Sequence, residues 1–355
     1  MPVLRSNPRA RRLTVGLICV AVLTACQGAP TATHVPTTLP TASVALGGTP
    51  IAPTPVVLTP EATATTPAPQ IGYLGSGPIP PAIASAATDL GLTFGSGESG
   101  GALRGVEVLL VADASGAADA SQAQARYVVS LGNAAVEGGL ALDTTQIRWD
   151  QAGFLLGLAA GWATEARQVG VVSAGADVQT LSYRNGFLSG VRYSCPTCLI
   201  DQFDLPELSD AALASAQGAQ FATYGSDVIF VAPAPATGAM LQALAQNGIL
   251  VLGSDSDMAA AFGADPTAWP DKALVDVRVD AVAAFAQALR DYAAGAPATG
   301  VQPMSIERGG LTLGPWHDPN GLITPLDQRD LDAARTRVAS GVLDVGVDTA
   351  TGEPK

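Results

Sequence analysis

Histidine is almost missing from this chain of 355 residues; only His34 and His317 occur. Ser-His-Asp catalysis would have to rest on His317, because His34 sits in a low-complexity stretch. No P-loop lysine is present, and no G-x-S-x-G stands with a suitable histidine. Glycine runs such as GSGESGG (95–101) lack the strand, helix and downstream acid of a dinucleotide site. The expectation is therefore a protein without catalytic groups, cofactor or metal. Basic residues are scarce too, 18 against 31 acidic, which argues against nucleic acid or anionic lipid as a partner. Aromatics make up 5% against 48% hydrophobic residues, so the core must be built from Ala, Val and Leu. The apolar run Leu13–Leu23 is shorter than the roughly 20 residues that cross a bilayer.

That short run follows Arg5, Arg9, Arg11 and Arg12 and ends in Leu23-Thr24-Ala25-Cys26. A basic region, a short apolar region and small residues describe an export signal over residues 1–25. Leu-Thr-Ala-Cys resembles the bacterial lipobox, which implies cleavage before Cys26, lipid on Cys26 and anchoring at the extracytoplasmic membrane face. An ordinary secretory signal with an incidental cysteine is the alternative. Residues 26–69 are rich in Thr, Pro and Ala and nearly uncharged, and are expected to be a disordered, extended spacer. The mature chain would carry 14 basic and 31 acidic residues, a net charge of −17.

Cys195 and Cys198 remain, in SCPTCLI. C-x-x-C can mean zinc, a redox pair or a small disulfide. Zinc would need two further ligands, and a redox pair wants a helix N-terminus. This pair follows a helical stretch and precedes a strand, which favours a structural disulfide closing the turn.

The remaining chain alternates strands and helices. Buried strands are expected at 106–113, 126–132, 168–175, 198–203, 227–232, 249–257 and 273–280. Helices are expected at 149–166, 177–193, 209–225, 236–248 and 281–294, with Gly248 as a stop. The rhythm implies α/β with parallel sheets, whose ligands lie beyond the carboxyl ends of the strands.

Five stretches, in order, are similar to the basic membrane protein family of lipid-anchored, purine-nucleoside-receptor-like ABC transporter substrate-binding proteins. They are WDQAGFLLGLAAG, VGVVSAGADVQTLSYRNGFLSGV, GSDVIFVAPAPATG, GILVLGSDSDM and GGLTLGPWHD, over about residues 147–320. The resemblance implies two Rossmann-like lobes of periplasmic-binding-protein type that close on a solute and an ABC permease as partner. It places lobe 1 at about 70–148 plus a C-terminal return segment, lobe 2 at about 165–275, and leaves 346–355 as a tail. There are departures. The family's Asp-x-x-Phe-Asn has no counterpart in IGYLGSGPIPPAIASAATDLG (71–91), and the region 95–105 is short, so the first lobe is expected to be reduced. A family Gly-Gly reads Ser173-Ala174, the glycine-rich loop reads Pro233-Ala234-Pro235-Ala236, and a family lysine falls on Val277 beside Arg278. Asp255 matches the aspartate that bonds a ribose hydroxyl.

The expected ligand residues are Asp255, Ser173, Ala174, Trp149, Asp150, Asp113 and Asp257. Asp255 would accept from sugar hydroxyls and Trp149 would stack on a ring. Asp257 also suits a helix cap and Asp113 a turn. Tyr73 and Phe94 are lesser aromatic candidates, and Trp316 and His317 read as packing near the hinge. The expected ligand is a small neutral solute, nucleoside-like by resemblance. Two other readings fit the same residues: a sensor for a membrane signalling partner, or a degenerate surface lipoprotein with no small-molecule ligand.

Overall fold

Val108–Val111 (β3) is buried at all four positions, as a run of β-branched and leucine residues within a parallel sheet should be. Its alternate side chains enter two different clusters, Val108 and Leu110 on one face and Leu109 and Val111 on the other. The computed structural model that shows this describes residues 70–75, 77–95, 101–112, 122–318 and 320–355. The export signal, Cys26, the spacer up to residue 69 and Asp113 lie outside the described residues.

The first sheet joins β3 to β1 (Gln70–Leu74), β2 (Thr93–Phe94), β4 (Tyr127–Leu131), β5 (Leu140–Ile147) and β11 (Gly300–Met304). Its order is β2-β1-β3-β4-β5-β11, and every pairing is parallel. The second sheet is β7 (Leu199–Leu205), β6 (Gln168–Ala174), β8 (Val228–Val231), β9 (Leu250–Ser254), β10 (Ala273–Val279) and β12 (Leu311–Leu313), in that spatial order. Only β10 with β12 is antiparallel there. The α/β reading with two parallel-sheet lobes therefore describes the molecule.

Between the second lobe's strands run α3 (Val178–Ser194), α4 (Ala211–Phe221), α5 (Thr237–Gln246) and α6 (Asp255–Phe262). On the first lobe α1 (Pro81–Asp89) and α7 (Ala281–Ala293) cover one face, through Ile83 and Ala87 and through Ala284, Phe285, Ala288 and Leu289. Among the described residues, 101–107 and 132–139 form no helix. Among the described residues the first lobe has six strands.

The chain crosses between sheets three times: from β5 into α2 (Trp149–Ala163), from β10 into α7, and from β11 to β12. One strand expectation is corrected at these carboxyl ends. The stretch 249–257 is strand only to Ser254, because Asp255 opens α6 and the Ser254 side chain caps it by accepting from the backbone N–H of Asp257.

Helix α2 is apolar all round and buried from Asp150 to Gly161, as such a helix must be. It lies against α3 along a glycine seam. Gly153, Gly157 and Gly161 recur every fourth residue on one side of α2, facing Gly186 and Gly190 of α3. A methyl group at any of them would collide with the partner helix, on the Phe187 carbonyl oxygen in the case of Gly157. Beyond α3, Cys195 and Cys198 form a disulfide that holds the turn into β7. The loop it closes is short, so replacing both cysteines with serine should cost only about 2 kcal/mol. A melting curve under non-reducing conditions checks this, and reductant should lower the wild-type melting temperature to that of the double variant.

Helix α8 (Pro325–Ala339) starts with a capping box of Thr324 and Asp327 and buries Leu331, Ala334 and Val338 in the core of the second lobe. The stretch 346–355, expected as a tail, is packed. Val345 and Val347 are buried in that same core, and Val347 bridges to Pro354 to make a small hairpin. No described helix is long and apolar enough to cross a membrane.

Candidate functional site

The crossover β5–α2 brings Arg148, Trp149 and Asp150 to the hinge. Arg148 donates from its backbone N–H to the Met304 carbonyl of β11 at 3.0 Å. Its guanidinium grips Asp150 with two bonds, Nε–Oδ1 2.9 Å and Nη2–Oδ2 2.7 Å, and this pairing raises the arginine further above its ordinary value. Gln151, also buried, accepts from the Ile306 N–H at 2.8 Å and donates to Glu307 Oε1 at 2.7 Å. The start of α2 is thereby tied to the end of β11 and to the segment that leads from it to β12.

Trp149 stands between two cavities. The larger, about 440 Å³, is lined by Thr145, Gln146, Arg148, Gln179, Ser182 and Thr349 among others. The smaller, about 230 Å³, holds Trp149, Ser254, Asp255, Ser256, Arg278 and Leu311. Behind Trp149 its indole meets the buried Tyr183 ring at 5.3 Å, and Tyr183 in turn packs on Phe230 at 4.9 Å. The Tyr183 hydroxyl is buried with no hydrogen-bond partner, and burial raises its pKa well above the usual range.

In the smaller cavity the polar groups come from the ends of β9 and β10. Asp276 and Arg278 are two apart on β10, so both point to one face. The Asp276 carboxyl is fully buried and accepts from Arg278 Nε at 2.6 Å. Its second oxygen has no partner. Burial raises this carboxyl above its usual range, Arg278 pulls it down, and Asp255 pushes it up. Gly314, beside β12, leaves the room: a side chain there would strike Asp276 Oδ1 and Arg278 Nε. Arg278 is 32% exposed, and Asp255 lies 3.8 Å from its Nε with 61% of its own side chain in solvent. The result is a fixed guanidinium whose Nη groups bond nothing among the described residues, next to a solvated carboxylate and an indole face.

Of the expected residues, Trp149 and Asp255 meet in the smaller cavity. Asp150 borders the larger one, but its carboxylate is held by Arg148. Ser173 is 2% exposed, and its hydroxyl donates to Asp204 at 2.7 Å, a carboxylate that Arg184 also holds. Ser173 and Ala174 end β6 and line neither hinge cavity. Asp257 also lies outside those linings; it bonds the Ser254 hydroxyl at 2.5 Å at the start of α6. Tyr73 and Phe94 pack on the first lobe's core, and Trp316 on the second's. The roles of Asp276, Arg148 and Gln151 were not foreseen. The signal for the first was Asp-Val-Arg inside a strand, an ion pair on one face. Among the described residues, no group of three or more His, Cys, Asp or Glu could hold a metal ion.

A search of curated proteins gave no match. Among solved structures the chain is similar to an ABC transporter solute-binding protein from Conexibacter woesei, with 19% identity, 78% of this chain and 98% of that one covered, and a TM-score of 0.46. It is similar to another from Aeropyrum pernix, with 14% identity, coverage of 78% and 93%, and a TM-score of 0.44. A transcriptional activator of the comK gene from Bacillus halodurans aligns comparably, with 15% identity, coverage of 77% and 99%, and a TM-score of 0.45. Over residues 110–268 the chain matches the family Bmp, ABC transporter substrate-binding protein PnrA-like, the family its motifs resemble.

Proposed function

We propose that this chain is the extracytoplasmic solute-binding protein of an ABC transporter, held to the membrane by lipid on Cys26, and that its solute is a neutral, hydroxyl-bearing molecule of nucleoside type. The supporting observation is the meeting of Trp149, Asp255 and Arg278 in one cavity where the two lobes join. Asp255 offers acceptors and Arg278 offers donors a few ångströms apart. Adjacent hydroxyls, each able to give and take a hydrogen bond, satisfy both. The indole of Trp149 supplies a flat apolar face for a ring. The hinge is a place where a bound solute touches both lobes at once, so occupancy favours the shut form, and a permease can read that form. No bond in the solute is broken in this scheme.

Thermal-shift measurements on the purified protein against nucleosides, sugars and amino acids test this. A nucleoside at about 100 times its dissociation constant should add about 2.7 kcal/mol of stability. Asp255→Asn and Trp149→Ala should each weaken that binding by about tenfold or more. If no nucleoside raises the melting temperature, the nucleoside assignment is lost. If no solute of any class does, the surface-lipoprotein reading takes its place.

A further inference from the structure

The hairpin of residues 345–355 is fastened on every side. The Asp348 N–H donates to the Glu353 carbonyl at 2.8 Å, and the Lys355 N–H to the Gly346 carbonyl at 3.0 Å. Lys355 Nζ pairs with Asp344 at 2.5 Å. Its inner valines, Val345 and Val347, are anchored in the second lobe. Its tip lies on the first turns of α3, where Asn185 Nδ2 donates to the Gly352 carbonyl at 2.7 Å. Gly352 has φ +76°, and a Cβ there would press on the Val178 carbonyl oxygen at 2.7 Å and the Ser182 nitrogen at 2.9 Å. Only glycine allows this approach.

The seating has a geometric result. Thr349, exposed at the tip, borders the 440 Å³ cavity beside Gln179 and Ser182, with Arg148 and Trp149 also in the lining. One lining residue of that cavity, Thr349, therefore comes from a segment belonging to neither sheet. Asp344, at the hairpin's base, lies within electrostatic reach of Arg148, so the hairpin and the first crossover sense each other's charge.

We propose that this hairpin is a size-selecting wall of the larger hinge cavity, with Thr349 as the residue a solute meets when it extends past Trp149. The proposal rests on the reading of the hinge cavities as the solute site. It makes the hairpin a determinant of specificity separate from the Asp255–Arg278 pair. Solutes held at Asp255 and Arg278 that end at Trp149 are accepted, and longer ones that reach past Trp149 into the larger cavity are turned away by Thr349.

A thiol at the cavity reads the wall without any solute. In the full chain carrying Gln179→Cys, the new cysteine is labelled with N-ethylmaleimide or with a maleimide bearing a bulky polyethylene glycol, and the site is assigned by peptide mass. Gly352→Val lifts the tip while keeping the buried valines. It should speed the bulky reagent by about tenfold and leave the small one within about twofold, as expected for local opening. Thr349→Trp is an exposed substitution that leaves the fold intact, so it keeps the test valid if Gly352→Val unfolds. It should slow the bulky reagent by a similar factor. Equal bulky-reagent rates in the parent and the Thr349→Trp variant overturn the proposal. A second arm compares melting shifts with hypoxanthine, inosine and inosine 5′-monophosphate. The largest should gain most when the tip is lifted. If the labelling contrast is present but none of the three shifts the wild type, the nucleoside assignment falls and the wall stands.

Discussion

Arg278→Ala is expected to lose about 3–5 kcal/mol at neutral pH, because it leaves the fully buried Asp276 carboxylate without its counter-charge. For a domain of this size the melting temperature should fall by roughly 6–12 °C. The loss carries a pH signature. Burial already holds the Asp276 carboxyl above its usual range, opposed by Arg278 and reinforced by Asp255. A carboxyl raised by folding binds its proton more tightly in the folded state. Its contribution to stability therefore declines as pH climbs from the ordinary carboxylate range through the folded value. Without Arg278 the opposition is gone and the decline is steeper. The melting difference between wild type and variant should thus be small below the ordinary carboxylate range and grow as pH rises through the raised folded value. Asp143, Asp177, Asp204 and Asp344 shift downward and follow the opposite trend, but they are present in both proteins and cancel in the difference. A difference that is flat with pH would mean that Asp276 is not the group left charged. Asp276→Asn together with Arg278→Ala should restore much of the loss, since no buried charge remains.

Gly157→Val should be strongly damaging although it lies outside the site. Its side chain would enter the seam between α2 and α3, where even a methyl falls on the Phe187 carbonyl oxygen and close to the Val191 nitrogen. Overpacking of this kind costs about 3 kcal/mol or more, because two backbones must separate. The melting temperature should drop by about 6 °C or more, and α2 amides should exchange faster than those of β3. A variant that melts within a degree of wild type would show that the helices can slide apart freely. Since α2 begins at Trp149, a slid seam also moves the wall between the two cavities.

These outcomes bear on how much was legible beforehand. Strands β3, β6, β8 and β9 declared themselves because they are buried on both faces and read as unbroken apolar runs. Strand β5 did not: its first half is buried and its second half, Thr144 to Gln146, is exposed, so neither alternation nor a continuous run appears. Helix α8 escaped notice because Leu331, Ala334 and Val338 are its only buried positions, too few for a clear stripe. The overextension of β9 has a simple cause. Ser-Asp-Ser-Asp carries no apolar residue to mark the change of period, and the cap is visible only as a hydrogen bond from Asp257 N–H to Ser254. Trp149 and Asp255, which line one cavity, were singled out by position in a family pattern. What Asp276 does depends on the depth of β10 within the sheet and on the missing side chain of Gly314, facts set by pairing partners far away in the chain.

The outer edge of β5 has a partner that arrives late. Its neighbour β11 begins at Gly300, after the whole second sheet except β12 has been spelled out. An amino-terminal fragment stopping at Ile147 would carry an open row of amides and carbonyls along that edge, with the α7 side of its core bare as well. The same holds for a growing chain: the first lobe cannot close before residues 300–304 have been made. Joining the returning strand to β5 is then a long-range and therefore slow step, during which the unfinished edge is open to helpers and to aggregation alike.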